Sequence, residues 1–464
     1  MVRLHRLLRS ALLAVVMAEA PAMHVDAPTV PSLEYELVQA CRPFSWSTYR
    51  DCLDEVRRWG REPPSWVVRS CPLDYIARKP CFDPAGHPVT DDQGHQATVP
   101  VALTGRVFYP PAWRRRPGSS LSLVVYLHST ELGKAAVASR LGGDEWMLGA
   151  AAAAWFGYAV AMPDLPGMGG DAGEYHPFCH ADSLAHATVD CIPEALRALR
   201  GDGGADGHRY AWNGRLFLAG YSEGGYAALA AVRELEARGD ARLTGSACLA
   251  GPFDLSGAMR ELFIDPVFGY SRPYYMPYFV LGYHAVYGPR MDPLQVFAPV
   301  LLDPVADGDI LAWADGSMDG LVVDAALGRR LALPGDAIPL PRLFNPAWLD
   351  RELQDPAYPT SDVHRMLAEN DVCGGWRPTR PILFRHSPDD CNIPYANTLW
   401  TVDQLGQAVR AAGGDPGALL HLLPIGRPGD GISHTAGAYL SLPSAFAWFY
   451  YGMPDLDIFA GLKW

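Results

Sequence analysis

One stretch near the middle of the chain constrains the fold more than any other. Residues 216–226 read LFLAGYSEGGY, an apolar run followed by a glycine-flanked turn, and residues 227–238 continue as an Ala-, Leu- and Glu-rich helix. The run predicts a buried strand, and the turn is so tight that a side chain at either flanking glycine would strike a neighbouring element. Ser222 would then stand clear at the strand end. The helix N-terminus and the free backbone N–H of Glu223 would lie behind it, where a developing negative charge is favoured. The alternative is an ordinary glycine-rich turn with a buried serine.

Composition describes a globular chain. It has 464 residues, of which 49% are hydrophobic and 19% charged, enough for a large core in one domain with insertions or in two domains. The formal net charge of −13 argues against nucleic acid as a partner.

The first residues have the pattern of an export signal. Arg3, Arg6 and Arg9 precede an apolar run that is too short to span a bilayer, and a small-x-small sequence ends at Ala22. We therefore expect residues 1–22 to be a signal peptide and the protein to be secreted or periplasmic. A retained N-terminal anchor and a cleavage after Ala20 are the alternatives. No later stretch approaches a transmembrane length, so we expect no stable membrane span.

The cysteines agree with an oxidising compartment. Eight of the nine are clustered and Cys248 stands alone, a distribution that predicts four disulfides and one buried free thiol. If residues 182–191 are helical, Cys179 and Cys191 would lie near opposite ends and would pair only if the loop before this helix folds back. Zinc is disfavoured because no C-x-x-C occurs. We expect residues 23–98 to be a Cys- and Pro-rich extension held by disulfides. The clustered cysteines are Cys41, Cys52, Cys71, Cys81, Cys179, Cys191, Cys373 and Cys391.

Strand-like and helix-like segments alternate through the rest of the chain. This alternation predicts an α/β fold with a doubly wound, mostly parallel sheet. It lapses over about residues 253–380, which we interpret as a cap or lid insertion that begins with an aromatic passage at 271–288. The expected strands are 99–110, 121–127, 158–162, 216–218, 243–250, 381–385 and 419–423, and the expected helices are 146–156, 183–200 with a break or kink at Pro193, 227–238, 361–369 and 435–451.

A serine hydroxyl needs a base and an orienting acid before it becomes nucleophilic at neutral pH. Asp390 follows the expected strand at 381–385, where a sheet delivers residues to a crevice, and the adjacent Asp389 is the alternative acid. His434 lies in a loop between the last strand and the last helix. We choose it as the base over His421, which lies inside a strand, and over His386, which precedes the acid.

Tetrahedral intermediates also need N–H donors for their oxyanion. One donor should be the amide of Glu223, directly after the nucleophile. The second should come from the loop after residues 121–127, where either Ser129 or Thr130 is possible.

These motifs resemble those of the α/β-hydrolase superfamily over residues 99–464. The resemblance is carried by GYSEGG, LHST, PDLPGMGG, HSPDDCNIP and GISHT as they stand in this chain, and by the order Ser, Asp, His. Many members have His-Gly where this chain has His128-Ser129. Within the superfamily the chain looks most like the secreted bacterial and fungal lipase-like esterases, which implies a serine carboxylic ester hydrolase with no cofactor and no metal.

The aromatic passage bears on the substrate. Tyr275, Phe279 and Tyr283 recur every four residues and would share a helix face in the cap, so that with Tyr221 they are candidate substrate-binding residues for an apolar, small-molecule or lipid-like ester. Packing of the cap against the core is the competing explanation. The acidic residues at 303–319 lack the spacing of a calcium loop. A peptidase, an acyltransferase or a non-enzymatic binding protein on the same fold are the rival functions.

Overall fold

The computed structural model describes residues 68–110, 120–143, 145–201, 210–303, 312, 314–450 and 452–453. The predicted signal peptide, Cys41 and Cys52 lie outside them. The strands within the described residues are β1 (Arg69–Pro80), β2 (Thr98–Tyr109), β3 (Ser120–Leu127), β4 (Ala159–Pro163), β5 (Ala211–Tyr221), β6 (Leu243–Leu249), β7 (Gly269–Tyr270), β8 (Ile338–Pro339), β9 (Ile382–His386) and β10 (Leu420–Pro424).

Eight of these strands form the central sheet, in the order β1-β2-β4-β3-β5-β6-β9-β10. The pairs β1/β2 and β2/β4 are antiparallel. All later neighbours are parallel. The predicted mostly parallel sheet is therefore confirmed. Because β5, β9 and β10 run in the same direction, the loops that follow them open at one edge of the sheet.

Helices cover both faces of this sheet. The α-helices of the described residues are α1 (Trp146–Phe156), α2 (Ala181–Leu199), α3 (Glu223–Ala237), α4 (Arg260–Ile264), α5 (Tyr275–Tyr287), α6 (Pro293–Val296), α7 (Pro299–Leu302), α8 (Gly320–Leu331), α9 (Pro346–Leu349), α10 (Asp362–Glu369), α11 (Tyr395–Ala411) and α12 (His434–Tyr450). Of the break or kink expected at Pro193, the break does not occur: α2 runs through Pro193, since one lost hydrogen bond does not outweigh a helix face buried on the sheet.

Strand β3 shows why the central strands read as unbroken apolar runs. Leu123 and Val125 belong to the core between the sheet and helices α2 and α3. Val124 and Tyr126 belong to the core on the other face, with residues of α1 and α12. Successive side chains of a strand point to opposite faces, so a strand covered on both sides needs apolar residues at every position.

The first strand differs from the sequence-based expectation. Residues 69–80 were assigned to a loosely patterned extension ending at 98, but β1 pairs with β2 along its whole length and is the edge strand of the central sheet. Only alternate side chains, among them Leu73, Tyr75 and Ala77, are buried in the core. An edge strand of this kind carries polar residues between the apolar ones, so it lacks the continuous apolar run that marks the central strands.

Six of the described cysteines have free thiols, namely Cys81, Cys179, Cys191, Cys248, Cys373 and Cys391. Cys179 does not pair with Cys191, and Cys373 does not pair with Cys391, so the disulfides expected in these two clusters are not formed. The thiol of Cys191 donates to the carbonyl oxygen of Thr188 on its own helix, at 3.1 Å. The thiol of Cys373 lies beside Asp254, whereas that of Cys391 lies beside Asn392.

Helices α4–α10 and the small sheet of β7 and β8 occupy the stretch between β6 and β9. This is the region where the sequence predicts a cap. Its longest helix is α5, which carries the aromatic residues of the 271–288 passage. No helix in the part of the chain that the structure describes combines the length and the apolar character needed to cross a membrane.

Candidate active site

Ser222 stands at the sharp turn between β5 and α3. Its φ is +57°, a conformation that side-chain-bearing residues rarely adopt. The two flanking glycines make the turn possible: a Cβ at Gly220 would collide with the backbone of Gly224, and a Cβ at Gly224 would collide with the carbonyl oxygen of Leu127. The steric role expected for both glycines thus matches the geometry. The strained turn lifts the serine hydroxyl out of the sheet.

The structure brings His434 to this hydroxyl. Its Nε2 lies 2.8 Å from the Oγ of Ser222, and its Nδ1 lies 2.5 Å from Oδ2 of Asp390. An ionised carboxylate only accepts hydrogen bonds, so Nδ1–H donates to Asp390 and Nε2 accepts from the serine hydroxyl. The phenol of Tyr221 donates to the carbonyl oxygen of His434 at 2.6 Å and fixes the start of α12. The three residues expected from chain order form one connected hydrogen-bond chain.

Asp390 is oriented by contacts other than the one with His434. Its Oδ1 accepts the amides of Asn392 and Ile393 at 2.8 and 3.0 Å. Its Oδ2 also lies 3.1 Å from Nε2 of His386. Burial alone would raise the pKa of Asp390, but the imidazoles of His434 and His386 lower it well below its ordinary value. The acid is held ionised and fixed in direction.

The neighbouring Asp389 has a separate role. Its carboxylate accepts the backbone N–H groups of Gly429 and Gly431, at 2.7 to 2.9 Å. These amides lower its pKa from the ordinary value. Asp389 thereby ties down the loop that leads to His434, and it is not the residue that faces the imidazole.

The loop after β3 contains both candidates for the second oxyanion-binding amide, Ser129 and Thr130, and the two have different surroundings. The backbone N–H of Ser129 donates to the carboxylate of Glu145 at 2.8 Å, and the phenol of Tyr126 donates to the same carboxylate at 2.5 Å. The Ser129 amide is therefore already occupied. Thr130 lines the cavity beside Ser222. Its amide, like that of Glu223 at the start of α3, has no acceptor among the described residues.

A cavity of about 40 Å³ adjoins Ser222 and His434. Of the four predicted substrate-binding residues, Tyr275 and Phe279 line it, and the ring of Phe178 stacks on Tyr275 with centroids 6.1 Å apart. Tyr221 and Tyr283 are not among its lining residues. Tyr221 points to the α12 side of the sheet. Tyr283 lies eight residues along α5 from Tyr275, about 12 Å at 1.5 Å per residue, and its hydroxyl bonds the carbonyl oxygen of Cys179.

Three polar side chains around the site were missed by sequence reasoning. His386 was considered only as a possible base, and neither Glu145 nor His176 was considered. His176 faces the carboxylate of Glu223. His176 lies 47 residues from Glu223 and Glu145 lies 16 residues from Ser129, so spacing within a motif carries no signal for these two contacts. His386 ends β9 four residues before Asp390, and its role depends on the turn that brings Asp390 back to it.

One group in the described residues has the donor atoms of a metal site: Asp254, Asp371 and Cys373. These donors already serve the protein. Asp254 accepts the amide of Ala258, and Asp371 accepts the amide of Ser256. Burial raises the pKa of Asp371 to about 6. The group stabilises the base of the cap and lies outside the serine–histidine chain.

Comparison with solved structures identifies the class of fold. The chain is similar to a protein from Legionella pneumophila described as a hydrolase (TM-score 0.62, 19% identity, 88% of this chain and 95% of that one). It is also similar to LipA, a rice cell wall degrading esterase from Xanthomonas oryzae, with a TM-score of 0.59 and 22% identity over 86% of this chain and 94% of that one. A third similar structure is Candida antarctica lipase A in its closed state, with a TM-score of 0.50 and 14% identity over 85% of this chain and 84% of that one.

These neighbours are α/β-hydrolases, so the chain has the α/β-hydrolase fold that its motifs indicate. The identities are low and establish the fold alone. No protein-family model matches the chain. No curated protein matches it either.

Proposed function

We propose that this protein is a secreted serine hydrolase that cleaves carboxylic esters. The observation that carries the proposal is the connected chain from Ser222 through His434 to Asp390, with hydrogen bonds of 2.8 and 2.5 Å beside an apolar cavity. The N-terminal pattern of residues 1–22 supports export. Neighbours of the same fold are described as an esterase and a lipase, which favours an ester over other acyl compounds.

The geometry supports a two-stage reaction. Nε2 of His434 takes the hydroxyl proton of Ser222 as Oγ attacks the ester carbonyl carbon, and Asp390 stabilises the imidazolium that forms. The carbonyl oxygen becomes an oxyanion, which accepts hydrogen bonds from the backbone N–H groups of Glu223 and Thr130. When this intermediate collapses, the alcohol leaves with the proton from His434, and the acyl group stays on Ser222.

Hydrolysis of the acyl-enzyme repeats these steps with water. His434 takes a proton from the water as the water oxygen attacks the acyl carbon. The second oxyanion accepts hydrogen bonds from the same two amides. The bond to Oγ then breaks, Ser222 recovers its proton from His434, and a carboxylic acid is released. All of these steps use groups of this chain.

The cavity points to a short acyl group. Its 40 Å³ has room for about three water-sized groups, since one such group needs roughly 10–15 Å³ of this volume. Its walls include Met259, Phe263 and Ile393, which favour an apolar chain over a charged one. We expect esters of two to four acyl carbons, a range that follows from about three such groups, to react faster than long-chain esters.

Ser222→Ala is the direct test. The purified protein should hydrolyse p-nitrophenyl butyrate, and a fluorophosphonate should form an adduct that mass spectrometry places on Ser222. The variant should lose both, with rates down by about 10⁴-fold or more, while its thermal unfolding stays that of the parent. Amino-acid p-nitroanilides run in parallel distinguish ester from amide cleavage. Turnover retained by the variant, or no adduct on the parent, would refute the proposal.

A further inference from the structure

A second histidine–carboxylate pair lies directly behind the nucleophile. The side chains of His176 and Glu223 are both almost fully buried, and Nε2 of His176 contacts Oε1 of Glu223. Glu223 is the residue after Ser222, and the reaction above uses its backbone N–H. The chain of Ser222, His434 and Asp390 does not include this pair.

The hydrogen bonds determine where the protons of His176 reside. Its Nδ1 lies 2.6 Å from the carbonyl oxygen of Pro166, which can only accept, so Nδ1 carries a proton. Nε2 faces the carboxylate of Glu223, and one proton lies between them. Burial lowers the pKa of His176, but the carboxylate outweighs this effect and leaves the pKa raised. With one shared proton the pair carries no net charge, and the raised pKa of His176 favours the form in which the imidazole holds that proton.

The backbone holds this histidine in place from two sides. A Cβ at Gly167 or at Gly282 would collide with the backbone of His176. The segment that carries His176 therefore packs closely against the turn at Gly167 on one side and against helix α5 on the other. The imidazole ring stacks on Tyr278 of the same helix, with ring centroids 5.8 Å apart and planes 21° apart. An imidazolium over an aromatic face is attracted by the ring. His176 therefore connects the cap to the start of α3.

Charge gives this pair a consequence for catalysis. The N-terminus of α3 favours negative charge on the oxyanion, but an unneutralised Glu223 carboxylate in the same buried region would oppose it. A neutral pair removes that opposition. The bond from His176 also fixes the side chain, and with it the residue whose amide points at the oxyanion.

We propose that His176 is a positioning residue for ester hydrolysis: it neutralises the Glu223 carboxylate and holds the oxyanion-binding amide of Glu223 in place. The inference rests on the proposed function for its catalytic consequence. The charge state of the pair can be tested without it.

Other titratable groups face the pair from each neighbouring element. Tyr275 and Tyr278 come from α5 and Cys179 from the same loop as His176. Burial raises the pKa of all three, so they stay neutral between about pH 5 and 9. Lys134, from the loop after β3, is a cation whose Nζ bonds the carbonyl oxygens of Ala172 and Glu174. These three neutral neighbours therefore contribute no change of charge in that interval.

The experiment compares His176→Gln with the double variant His176→Gln/Glu223→Gln by the rate of fluorophosphonate labelling of Ser222 from pH 5 to 9. The single variant leaves a buried carboxylate unneutralised, so its rate at pH 8 should fall by about 100-fold, the size of losing one oxyanion donor. Labelling relative to the parent should recover toward pH 5 as Glu223 takes up a proton. The double variant should regain most of the rate and the parent's pH profile.

A purely structural role would give a different result. It predicts equal losses in both variants and no change in the pH profile, and either observation overturns the proposal. If His176→Gln does not fold, ¹⁵N NMR of the parent labelled at histidine decides: both ring nitrogens of His176 should be protonated at pH 8, and a neutral ring overturns the proposal. Absence of labelling in the parent would instead count against the proposed function, and the NMR result would still test the pair.

Discussion

The two adjacent aspartates in the turn after β9 make different contacts. Asp390 faces the imidazole of His434 and carries a strongly lowered pKa, whereas Asp389 holds the glycine amides at 429 and 431. They are chemically identical and differ only in the direction in which the turn after β9 points them. The role of each carboxylate is therefore a property of the turn.

This difference leads to a prediction for matched variants. Asp390→Asn should lower kcat by about 10⁴-fold, because the amide stabilises neither the required tautomer nor the imidazolium. Asp389→Asn should cost less than about tenfold, since it weakens only the bonds that hold the loop. Steady-state kinetics on p-nitrophenyl butyrate, with folding checked by circular dichroism, measures both. Equal losses in the two variants would contradict the assignment.

At the scale of residues, sequence reasoning found the side chains that a motif or chain order marks. Ser222, Asp390 and His434 each follow a strand in the expected order, and the structure brings them together. It missed His176 and Glu145, because their partners are distant in the chain and no local pattern demands them. Sequence reasoning left open whether Ser129 or Thr130 supplies the second oxyanion amide. That choice depends on the contact between Ser129 and Glu145.

At the scale of elements, helix α5 supplies part of the cavity wall. Phe279 lines the cavity, whereas its neighbour Val280 is equally buried on the same helix but lies outside the lining. Consecutive residues of a helix point about 100° apart, and of these two it is Phe279 that lies on the cavity side. The two positions form a matched pair for a test of acyl selectivity.

Phe279→Ala should extend the cavity and shift acyl preference toward longer chains. We expect the ratio of kcat/KM for octanoate over butyrate esters to rise by about tenfold, the effect of one or two methylene contacts. Val280→Ala should leave this ratio unchanged, although both truncations cost stability. Rates are normalised to labelled Ser222, so that loss of folded protein does not enter. A similar shift in both variants would rule out α5 as the selecting wall.

Elements were predicted well where burial is uniform. The expected helix at 146–156 coincides with α1, and the buried strands β3 and β9 were found to within a residue or two. β1 was missed because its apolar residues alternate with polar ones beside prolines and cysteines, a composition that also fits a loop. Its place in the sheet depends on pairing with β2, which the sequence of β1 alone does not show.

One buried carboxylate connects two parts of the cap and affects the whole molecule. Oδ1 of Asp324, on α8, accepts the amide of Tyr274 just before α5, at 2.8 Å. Oδ2 has no partner among the described residues. Burial raises the pKa of Asp324 to about 7, against the opposing effects of the Tyr274 amide and Arg272.

The sign of the pH dependence follows from this shift. The pKa in the folded chain lies above the ordinary value of 3.8, so between about pH 4 and 7 the folded state binds more protons than the unfolded state. The contribution of Asp324 to the free energy of unfolding therefore falls as pH rises through that window.

Asp324→Asn keeps the acceptor oxygen but removes the charge. Its Tm relative to the parent should be higher at pH 8 than at pH 5, by on the order of 3 °C. Differential scanning calorimetry at the two pH values measures the difference. Asp319→Asn is the control, because that exposed carboxylate caps the same helix. A difference for Asp324→Asn that does not change with pH would contradict the prediction.

At the scale of the whole molecule, alternation of strands and helices was enough to predict a mostly parallel sheet, and its lapse marked the stretch of short helices between β6 and β9. The strand order and the cap's internal packing were beyond it, because they depend on pairings between segments far apart in the chain. The expected disulfides rested on counting cysteines, and the described thiols lie in separate environments that a count does not reveal.

The contacts of Asp389 have a mechanical consequence. The backbone turn that carries the acid also anchors, through two glycine amides, the segment that carries the base. Tyr221, the residue before Ser222, holds the carbonyl oxygen of His434 from the other side. The imidazole is therefore located by two anchors, one beside each of its hydrogen-bond partners, and we expect its distances to Asp390 and to Ser222 to be maintained together.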